Sequence, residues 1–379
     1  MKRILPAAAI LCAALAVSCA GNREAEISES GLDRAKFRTV VDGKPTDLYI
    51  LKNAAGMEVC LSNYGARIVS VWVPDRKGDM KDVVLGFDSI GAYLAARNNM
   101  GASIGRYAGR IAHGKAVIDG KEYEFPVNNN GHSMHSGPDG FHTRVFDAVQ
   151  KSPSQVAFSY RAADGECGYP GNFDVTVTYT LTDDNAVDIL YEGTTDKTTI
   201  VNMTNHSFFN LDGDPNRLNT EYVVWIDADR FAPIDSTCLT TGELVPVEGT
   251  PMDFRTPAAI GARMGEENDQ LRYGGGYDQT WALNAPGDAG RPCASMYSPH
   301  SGIRLDVYTT EPALQFYAGG SLNGTVTGKK GIVYNRYCAA CLESQKFPDS
   351  ANKPQWPSSV LRPGETFTSR CIYKFSVEE

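Results

Sequence analysis

A two-residue alternation of apolar and polar side chains is the dominant pattern along this chain, and it predicts β-strands. The pattern is clearest at residues 175–181 (VTVTYTL), where apolar or aromatic residues alternate with threonine. Residues 66–87 show two such runs around the turn sequence PDRKG. Further strands are predicted at residues 186–195, 221–231, 303–310 and 313–320.

Helical patterns are few and short, with candidates at residues 89–98 (SIGAYLAARN) and 257–265 (PAAIGARMG). Clusters of Gly, Pro, Asn and Asp separate the predicted strands, and the 37 glycines and 20 prolines suit a chain with many turns. Many short strands of this kind predict an all-β fold, a large antiparallel β-sandwich with few short helices.

The N-terminus resembles a bacterial lipoprotein signal. Lys2 and Arg3 precede an apolar run at residues 4–17, which is too short to span a bilayer. The AVSC sequence at residues 16–19 resembles a lipobox, with alanine in place of the more usual leucine. We expect a signal peptide at residues 1–18 and acylation of Cys19, which makes the protein exported and anchored to a membrane facing the periplasm or cell exterior. The alternative is a plain signal peptide cut near Ala20, with Cys19 lost.

Composition changes after this segment. Residues 19–36 are polar and charged, which predicts a flexible tether, and residues 37–379 contain no repeat, low-complexity block or second linker. One folded domain is therefore expected at residues 37–379. The formal net charge of −9, with no basic stripe, argues against nucleic-acid binding.

Seven cysteines follow Cys19 at irregular spacing, which does not indicate a disulfide framework. The CAAC sequence at residues 338–341 has the spacing of a redox motif, but it lies in an apolar run and has no second pair for zinc. Small buried side chains are the expected role of these cysteines.

Several segments place polar groups among glycines or at strand ends. No HExxH helix, GxSxG elbow or GxxxxGK[ST] loop is present, so we expect no metal, no serine nucleophile and no nucleotide or other cofactor. Imidazole, carboxylate, guanidinium and amide groups remain, a set that suits proton transfer on a neutral, hydroxyl-rich ligand. The candidates are Arg106 and Arg110, His132 and His135, His206, Asp278, and Glu343.

Taken singly, each candidate also has a structural interpretation. His206 could be a hydrogen-bonding group at a strand end, Glu343 a solvated charge after an apolar strand, and Asp278 the residue that closes an Asx turn. Arg110 could pair with a surface carboxylate, and His132 is expected to brace its loop. Single residues therefore do not establish a function.

Together and in order, these segments resemble the aldose 1-epimerases, also called galactose mutarotases. The resemblance implies a large β-sandwich that binds a monosaccharide, and interconversion of the α and β anomers of free aldoses of the galactose or glucose type, without a cofactor. The matching runs are IGRYAGRIAHGKAVIDGKEYEFPVNN, HSMHSGPDGF, VNMTNHSFFNLDG, GGYDQTW, EPALQFYAGG and LESQKFPDSANKP.

The same resemblance implies roles for individual residues. His206 corresponds to the family's proton donor and Glu343 to its general base, and both are expected near their ordinary pKa ranges. The sugar-holding residues correspond to Arg110, His135, Asp278 and Gln315.

The segment around His206 carries further expectations. Its asparagines and Thr204 are expected to orient the imidazole, with Phe208 and Phe209 packing against it.

Departures from the family pattern occur beside three of the predicted sugar-holding residues. Gly109 replaces an asparagine, Ser136 replaces a glycine after His135, and Gln279 replaces a histidine after Asp278. These changes leave the acid–base pair intact, but they leave the preferred sugar open.

Three other functions are compatible with these residues. A glycoside hydrolase or lyase would use Asp278 and Glu343 as its carboxylate pair. A sugar-binding module without activity would be expected to have lost His206 or Glu343, and both are present. A hexose-6-phosphate epimerase should carry more cationic residues around the sugar than Arg110 and Arg106.

Overall fold

The computed structural model describes residues 26–378, and the predicted signal peptide and Cys19 lie outside these residues. Three antiparallel sheets form the body of the molecule. The nine-stranded sheet contains, from edge to edge, Asp147–Ser152, Gln155–Ala162, Phe173–Leu181, Ala186–Thr195, Thr366–Val377, Ile303–Thr309, Ala294–Tyr297, Val223–Ile226 and Ala258–Ala259. The five-stranded sheet contains Val245–Pro246, Arg230–Ala232, Asp278–Ala282, Ala313–Tyr317 and Cys341–Gln345. The four-stranded sheet contains Leu48–Lys52, Glu58–Ser62, Arg67–Pro74 and Met80–Asp82.

Shorter elements accompany these sheets. Two-stranded pairs join Thr39–Val41 with Lys44–Thr46, Ser103–Ile104 with Thr204–Asn205, Arg110–Ile111 with Ser133–Met134, Lys115–Ile118 with Lys121–Glu124, Thr199–Ile200 with Val360–Leu361, and Val326–Thr327 with Val333–Tyr334. Within residues 26–378 the α-helices are Ile90–Ala96 and Asp269–Gly274. Short 3-10 helices occur at Arg34–Phe37, Ala112–Gly114, Phe141–Thr143, Glu166–Gly168, Asn219–Glu221, Ile260–Ala262, Lys329–Gly331 and Ser350–Asn352.

One hydrophobic core joins the three sheets. Phe158 and Phe375 of the nine-stranded sheet, Trp281 and Phe316 of the five-stranded sheet, and Leu61 of the four-stranded sheet belong to a single buried cluster. Each sheet therefore turns one apolar face inward, and the sheets pack face to face as a sandwich. The predicted all-β sandwich is confirmed.

Most predicted strands are confirmed. The residues of Phe173–Leu181 alternate between buried and more exposed positions, and Ala186–Thr195 matches its predicted range. The prediction of one strand at 221–231 is wrong, because Val223–Ile226 lies in the nine-stranded sheet and Arg230–Ala232 in the five-stranded sheet. Residues 227–229 carry the chain from one sheet to the other.

The helix predictions have mixed outcomes. The first is confirmed as Ile90–Ala96, which begins where the Ser89 hydroxyl accepts a hydrogen bond from Ala92 N. The helix predicted at 257–265 is wrong, because Ala258–Ala259 pairs with the edge of the nine-stranded sheet. The second α-helix is instead Asp269–Gly274, capped by Asn268, whose side chain accepts from Gln270 N.

The packed part of the chain begins before Phe37. Leu32 is buried, Arg34 pairs with Asp47 at 2.9 Å, and Glu29 N donates to the Glu58 carboxylate at 3.0 Å. Residues 26–36 thus lie against the domain, which differs from the tether expected there, because their polar groups find partners on the four-stranded sheet and its approach. None of the helices within residues 26–378 is long and apolar enough to span a membrane.

Gly101 provides a test of the packing around the segment that carries His206. Its φ is +72°, and its N–H donates to His206 O at 2.8 Å, while a Cβ added there would lie 1.9 Å from Ile68 O. We expect Gly101→Ala to lower the free energy of unfolding by about 2–5 kcal/mol, from left-handed strain plus overpacking. Denaturant unfolding measures the change.

Gly120→Ala is the matched control, because Gly120 has a φ of +79° and nothing within 4 Å of an added Cβ. It should lose only the backbone contribution of about 1–2 kcal/mol. Equal losses in the two variants would contradict the close packing described for Gly101.

Candidate active site

A cavity of about 430 Å³ opens on the face of the five-stranded sheet that points away from the core. Its volume lies within the range of about 300–1,000 Å³ that is typical of small-molecule sites. The structure brings all six sequence-predicted site residues to its wall: Arg110, His135, His206, Asp278, Gln315 and Glu343.

The strand Cys341–Gln345 carries the carboxylate of this site. Because successive side chains of a strand point to opposite faces, Leu342 enters the core while Glu343 lines the cavity. Glu343 lies in the middle of the strand, and the expectation that it follows the strand is wrong. Cys341 and Gln345 share its face, and neither was identified as a site residue. The two-residue period of CLESQ was the signal that could have found them.

The pairing of adjacent strands determines which side chains form the neighbouring wall of the cavity. Gln315 is the cross-strand partner of Glu343, and Thr280 is the partner of Gln315, so a polar row crosses three strands. The Gln315 amide donates to the Asp278 carboxylate at 2.7 Å and accepts from the Thr280 hydroxyl. These bonds hold Asp278 against the sheet.

His206 directly follows the short strand Thr204–Asn205. Its N–H donates to Ala102 O at 2.9 Å, and its C=O accepts from Gly101 N at 2.8 Å, so the backbone is fixed on both sides. The imidazole stacks on Phe208, with ring centroids 5.0 Å apart. Its Nδ1 lies 3.6 Å from Cys341 Sγ, and its Nε2 lies 3.6 Å from Glu343 Oε1. The imidazole therefore contacts Cys341 through one nitrogen and Glu343 through the other, and these two side chains lie on the same face of one strand.

Stacking of Phe208 on the imidazole confirms part of the expectation for this segment. The rest is wrong. The Asn205 amide donates to Gly101 O and its oxygen accepts from Ser207 N, while Phe209 packs against Tyr373 in the core. The Asn205 side chain therefore bonds to backbone groups. The imidazole instead contacts Cys341 and Glu343, which belong to another strand.

Similarly, Asn202 donates to Ala108 O and accepts from Lys346 N, and the Thr204 hydroxyl has no hydrogen-bond partner in the described structure. Neither side chain forms a hydrogen bond to the imidazole in the described structure.

Burial changes the protonation of the pair. His206 is 6% exposed and Glu343 is 3% exposed. Loss of water lowers the pKa of His206 to about 4, and it raises the pKa of Glu343 well above its ordinary range, with the Asp278 carboxylate adding to the rise. The expectation of ordinary pKa values is thus wrong. Between those two pKa values the pair binds one proton, which resides on the carboxyl or on the imidazole.

His135 and Arg110 face the pair from another wall. His135 Nδ1 accepts from Gly109 N at 3.2 Å, so its Nε2 carries the hydrogen that can be donated into the cavity. Burial, together with nearby His206, lowers the pKa of His135 well below its ordinary value, which keeps the ring neutral. Arg110 is held by a bond from its Nε to Asn129 Oδ1 at 3.1 Å.

Asp278 is the second carboxyl group of the cavity. Burial raises its pKa, while the Arg110 guanidinium and the hydrogen bond from Gln315 act in the opposite direction. Burial is the largest of these effects, so the pKa of Asp278 lies above its ordinary value.

His135, His206 and Glu343 also place ligand-type atoms within 4.8 Å of one another. A histidine that binds a metal normally donates a hydrogen bond from its other ring nitrogen. His135 instead accepts a bond at Nδ1 from Gly109 N, which leaves hydrogen on Nε2. This arrangement fits hydrogen bonding to hydroxyl groups better than metal coordination.

Two candidates lie away from the cavity. His132 braces its loop as expected, because its Nδ1 accepts from His113 N at 3.0 Å and its Nε2 lies 2.8 Å from Thr237 Oγ1. Arg106 is buried and donates to the carbonyls of Pro170 and Gly171, each at 2.9 Å. It has no part in the cavity wall.

The three departures from the family pattern have different positions. Ser136 bonds to Tyr107 and Tyr169 away from the cavity, and the Gln279 amide bonds to Asp278 N and Gln270 O behind the wall. Gly109 does line the cavity, where an added Cβ would lie 3.0 Å from Pro348. Of Gly109, Ser136 and Gln279, Gly109 is the residue that lies on the surface of the cavity.

A buried acid–base pair at the wall of a cavity on a β-sandwich is typical of an enzyme that transfers protons on a neutral ligand. The aldose 1-epimerase family model matches residues 47–374. Galactose mutarotase of Rattus norvegicus is 41% identical over 85% of this chain and 92% of its own length, and aldose 1-epimerase of Escherichia coli K12 is 39% identical over 89% and 97%. The chain belongs to the aldose 1-epimerase family.

Solved structures agree with this assignment. A GalM/aldose epimerase homologue from C. elegans superposes with a TM-score of 0.81 at 30% identity, covering 88% of this chain and all of its own. Galactose 1-epimerase from Lactobacillus acidophilus gives a TM-score of 0.79 at 29% identity, covering 90% and 97%. Members of this family are isomerases that interconvert the anomers of aldoses.

Proposed function

We propose that Glu343 is the base and His206 the acid with which this protein interconverts the α and β anomers of free aldoses of the galactose or glucose type. The observation that carries this proposal is the 3.6 Å approach of His206 Nε2 to Glu343 Oε1 at the wall of one cavity. Ring opening needs a base within hydrogen-bond reach of the C1 hydroxyl and an acid within reach of the ring oxygen.

The proposed reaction is a balanced proton relay. Glu343 takes the proton of the C1 hydroxyl, the C1–ring oxygen bond breaks as the C1 carbonyl forms, and His206 gives a proton to the ring oxygen. Rotation about C1–C2 and the reverse steps give the other anomer. The pair regains its starting protonation in each cycle, so the chemistry requires no cofactor.

Burial supports this relay. The two one-proton forms of the pair differ only in whether the proton lies on Glu343 or on His206, so they interconvert without exchange with solvent. The form with a carboxylate and an imidazolium is the one that opens the ring. Cys341, 3.6 Å from Nδ1, leaves Nε2 as the nitrogen that faces the sugar.

The remaining cavity residues are proposed to hold the sugar hydroxyls. Arg110 and the His135 Nε2–H supply donors, Asp278 supplies an acceptor, and Gln315 holds Asp278 in position. Fixing the hydroxyls places C1 and the ring oxygen against the correct groups.

Charge in the cavity separates this proposal from its alternatives. Arg110 is the single lysine or arginine among the cavity-lining residues of 26–378, which disfavours a sugar phosphate as substrate. For a hydrolase, Asp278 would have to act as the second catalytic carboxyl, but Gln315 already binds it.

Chromatography of an oligosaccharide incubated with the protein should show no shortening.

Substitution of the pair tests the roles directly. We expect Glu343→Gln and His206→Asn each to lower kcat for mutarotation by roughly 10²–10⁴-fold, since each removes one positioned proton-transfer group. Polarimetry with galactose, glucose, xylose and arabinose measures the rates and the sugar preference. The exposed Glu122→Gln and His300→Asn are matched controls. A near-normal rate in folded Glu343→Gln would disprove its role as the base.

The pH dependence of kcat/KM tests the shared proton. Below the lowered pKa of His206, about 4, the pair binds two protons and the base is lost; above the raised pKa of Glu343 it binds none and the acid is lost. We therefore expect activity to persist as pH falls through 6 and to decline only near the His206 value. An acid limb centred near the ordinary histidine pKa of about 6.5 would contradict this account.

We further propose that the protein is exported and anchored to a membrane through acylated Cys19, facing the periplasm or cell exterior. The support is the sequence: two basic residues, a short apolar run and the lipobox-like AVSC. An acyl chain would attach the β-sandwich to a membrane.

Labelling with radioactive palmitate tests the anchor. The wild-type protein should take up label and sediment with membranes, and Cys19→Ser should lose both properties. Glu343→Gln should keep both, because that position lies in the folded domain. Unlabelled wild-type protein with an N-terminus near residue 20 would instead support a plain signal peptide.

A further inference from the structure

Gln345 is a buried residue of the cavity wall that the proposed reaction leaves unused. It lies two residues after Glu343 on the strand Cys341–Gln345, so the two side chains share one face. It is 1% exposed and contributes to the lining of the cavity.

The side-chain amide of Gln345 has no partner for its oxygen. Oε1 is buried and accepts no hydrogen bond in the described structure, although buried polar groups are normally paired. The other glutamines nearby differ, because the amides of Gln315 and Gln279 are each bonded at both ends. On the opposite wall Asn98 Nδ2 is also unpaired, but Asn98 Oδ1 accepts from Met100 N.

Strand register places Gln345 in a row of its own. Its cross-strand partner is Ala313, whose partner is Ala282. The adjacent row contains Glu343, Gln315 and Thr280. The two alanines have no polar side-chain atoms, and the next residue of the row, Arg230, is exposed and does not line the cavity. Gln345 is therefore the residue of this row that can bind a hydroxyl in the cavity.

The position of His206 gives a direction along the strand. Its imidazole contacts Cys341 and Glu343, so it lies on the Cys341 side of the carboxylate. In the proposed reaction His206 faces the ring oxygen and Glu343 faces the C1 hydroxyl. The C2 side of the anomeric carbon would then point the other way along the strand, toward Gln345.

We propose that Gln345 binds the sugar, with its side-chain amide forming a hydrogen bond to the C2 hydroxyl of the aldose. The inference rests on the proposed function and adds a specificity-determining contact to it. A neutral amide both donates and accepts, so it recognises a hydroxyl without adding charge beside the Glu343–His206 pair. The contact also supplies the missing partner of Oε1.

Kinetics of Gln345→Leu with deoxy sugars test the contact. We expect kcat/KM for galactose to fall by about tenfold, the size of one neutral hydrogen bond. For 2-deoxygalactose, wild type and Gln345→Leu should have the same kcat/KM, because the bond is already absent. For 3-deoxy- and 6-deoxygalactose the substitution should still cost about tenfold, since those sugars keep the C2 hydroxyl. All rates are corrected for uncatalysed mutarotation.

Two further variants complete the design. Gln155→Leu makes the same change on the nine-stranded sheet, where the Gln155 amide bonds to Thr180, and it should leave every rate unchanged. Gln345→Asn keeps the amide but shortens it by one methylene, so it should fold and lose the same discrimination. Unfolding temperatures confirm that each variant is folded.

The results separate this inference from the proposed function. If wild type interconverts the anomers but folded Gln345→Leu or Gln345→Asn equals it with galactose, the inference is overturned. Equal losses with all deoxy sugars, 2-deoxygalactose included, would also overturn it and make Gln345 a structural residue. Absence of mutarotation in wild type would instead overturn the proposed function itself.

Discussion

The site depends on one constraint of β-structure, the alternation of side chains between the two faces of a strand. Leu342 and Phe316 must enter the core of the sandwich, so Glu343 and Gln315 must face the cavity. A slip of one residue would bury the carboxylate in the core and expose leucine. The same packing that stabilises the sandwich therefore fixes the distance between Glu343 and His206, which arrives from a different segment of the chain.

Burial then sets the chemistry of that pair. Loss of water destabilises the charged form of a carboxyl and of an imidazole. The pKa of Glu343 therefore rises and the pKa of His206 falls. One shared proton is the result, and the low local dielectric strengthens every contact with a bound hydroxyl. The uncharged rings of Phe208 and His135 lie beside the imidazole of His206, so neither ring adds a positive charge next to the Glu343 carboxylate.

Many of these features could be predicted from the sequence because they depend on residues that are close together along the chain. Alternation at residues 173–181 follows directly from the order of valine, tyrosine and threonine, and the motif resemblance identified six residues that the fold brings to one cavity. Features set by distant contacts were not predictable. The packing of residues 26–36 depends on Asp47 and Glu58, the sheet change at 227–229 depends on which core each strand joins, and the pKa shifts depend on burial. The two-residue period of CLESQ could have placed Gln345 on the face of Glu343, but that its amide oxygen lacks a partner depends on distant contacts.

The most direct test of the central claim is the titration of the His206 imidazole by ¹⁵N NMR, assigned with the His206→Asn variant. The account predicts that its ring nitrogens keep the shifts of one form from pH 7 down to about 5, and change only near the lowered pKa of about 4. The transition should stay near that value when Glu343 is replaced by glutamine, because loss of water lowers this pKa and the Glu343 carboxyl is already protonated and neutral at that pH. A titration near the ordinary histidine pKa of about 6.5 would contradict the account of a buried pair that binds one proton at neutral pH.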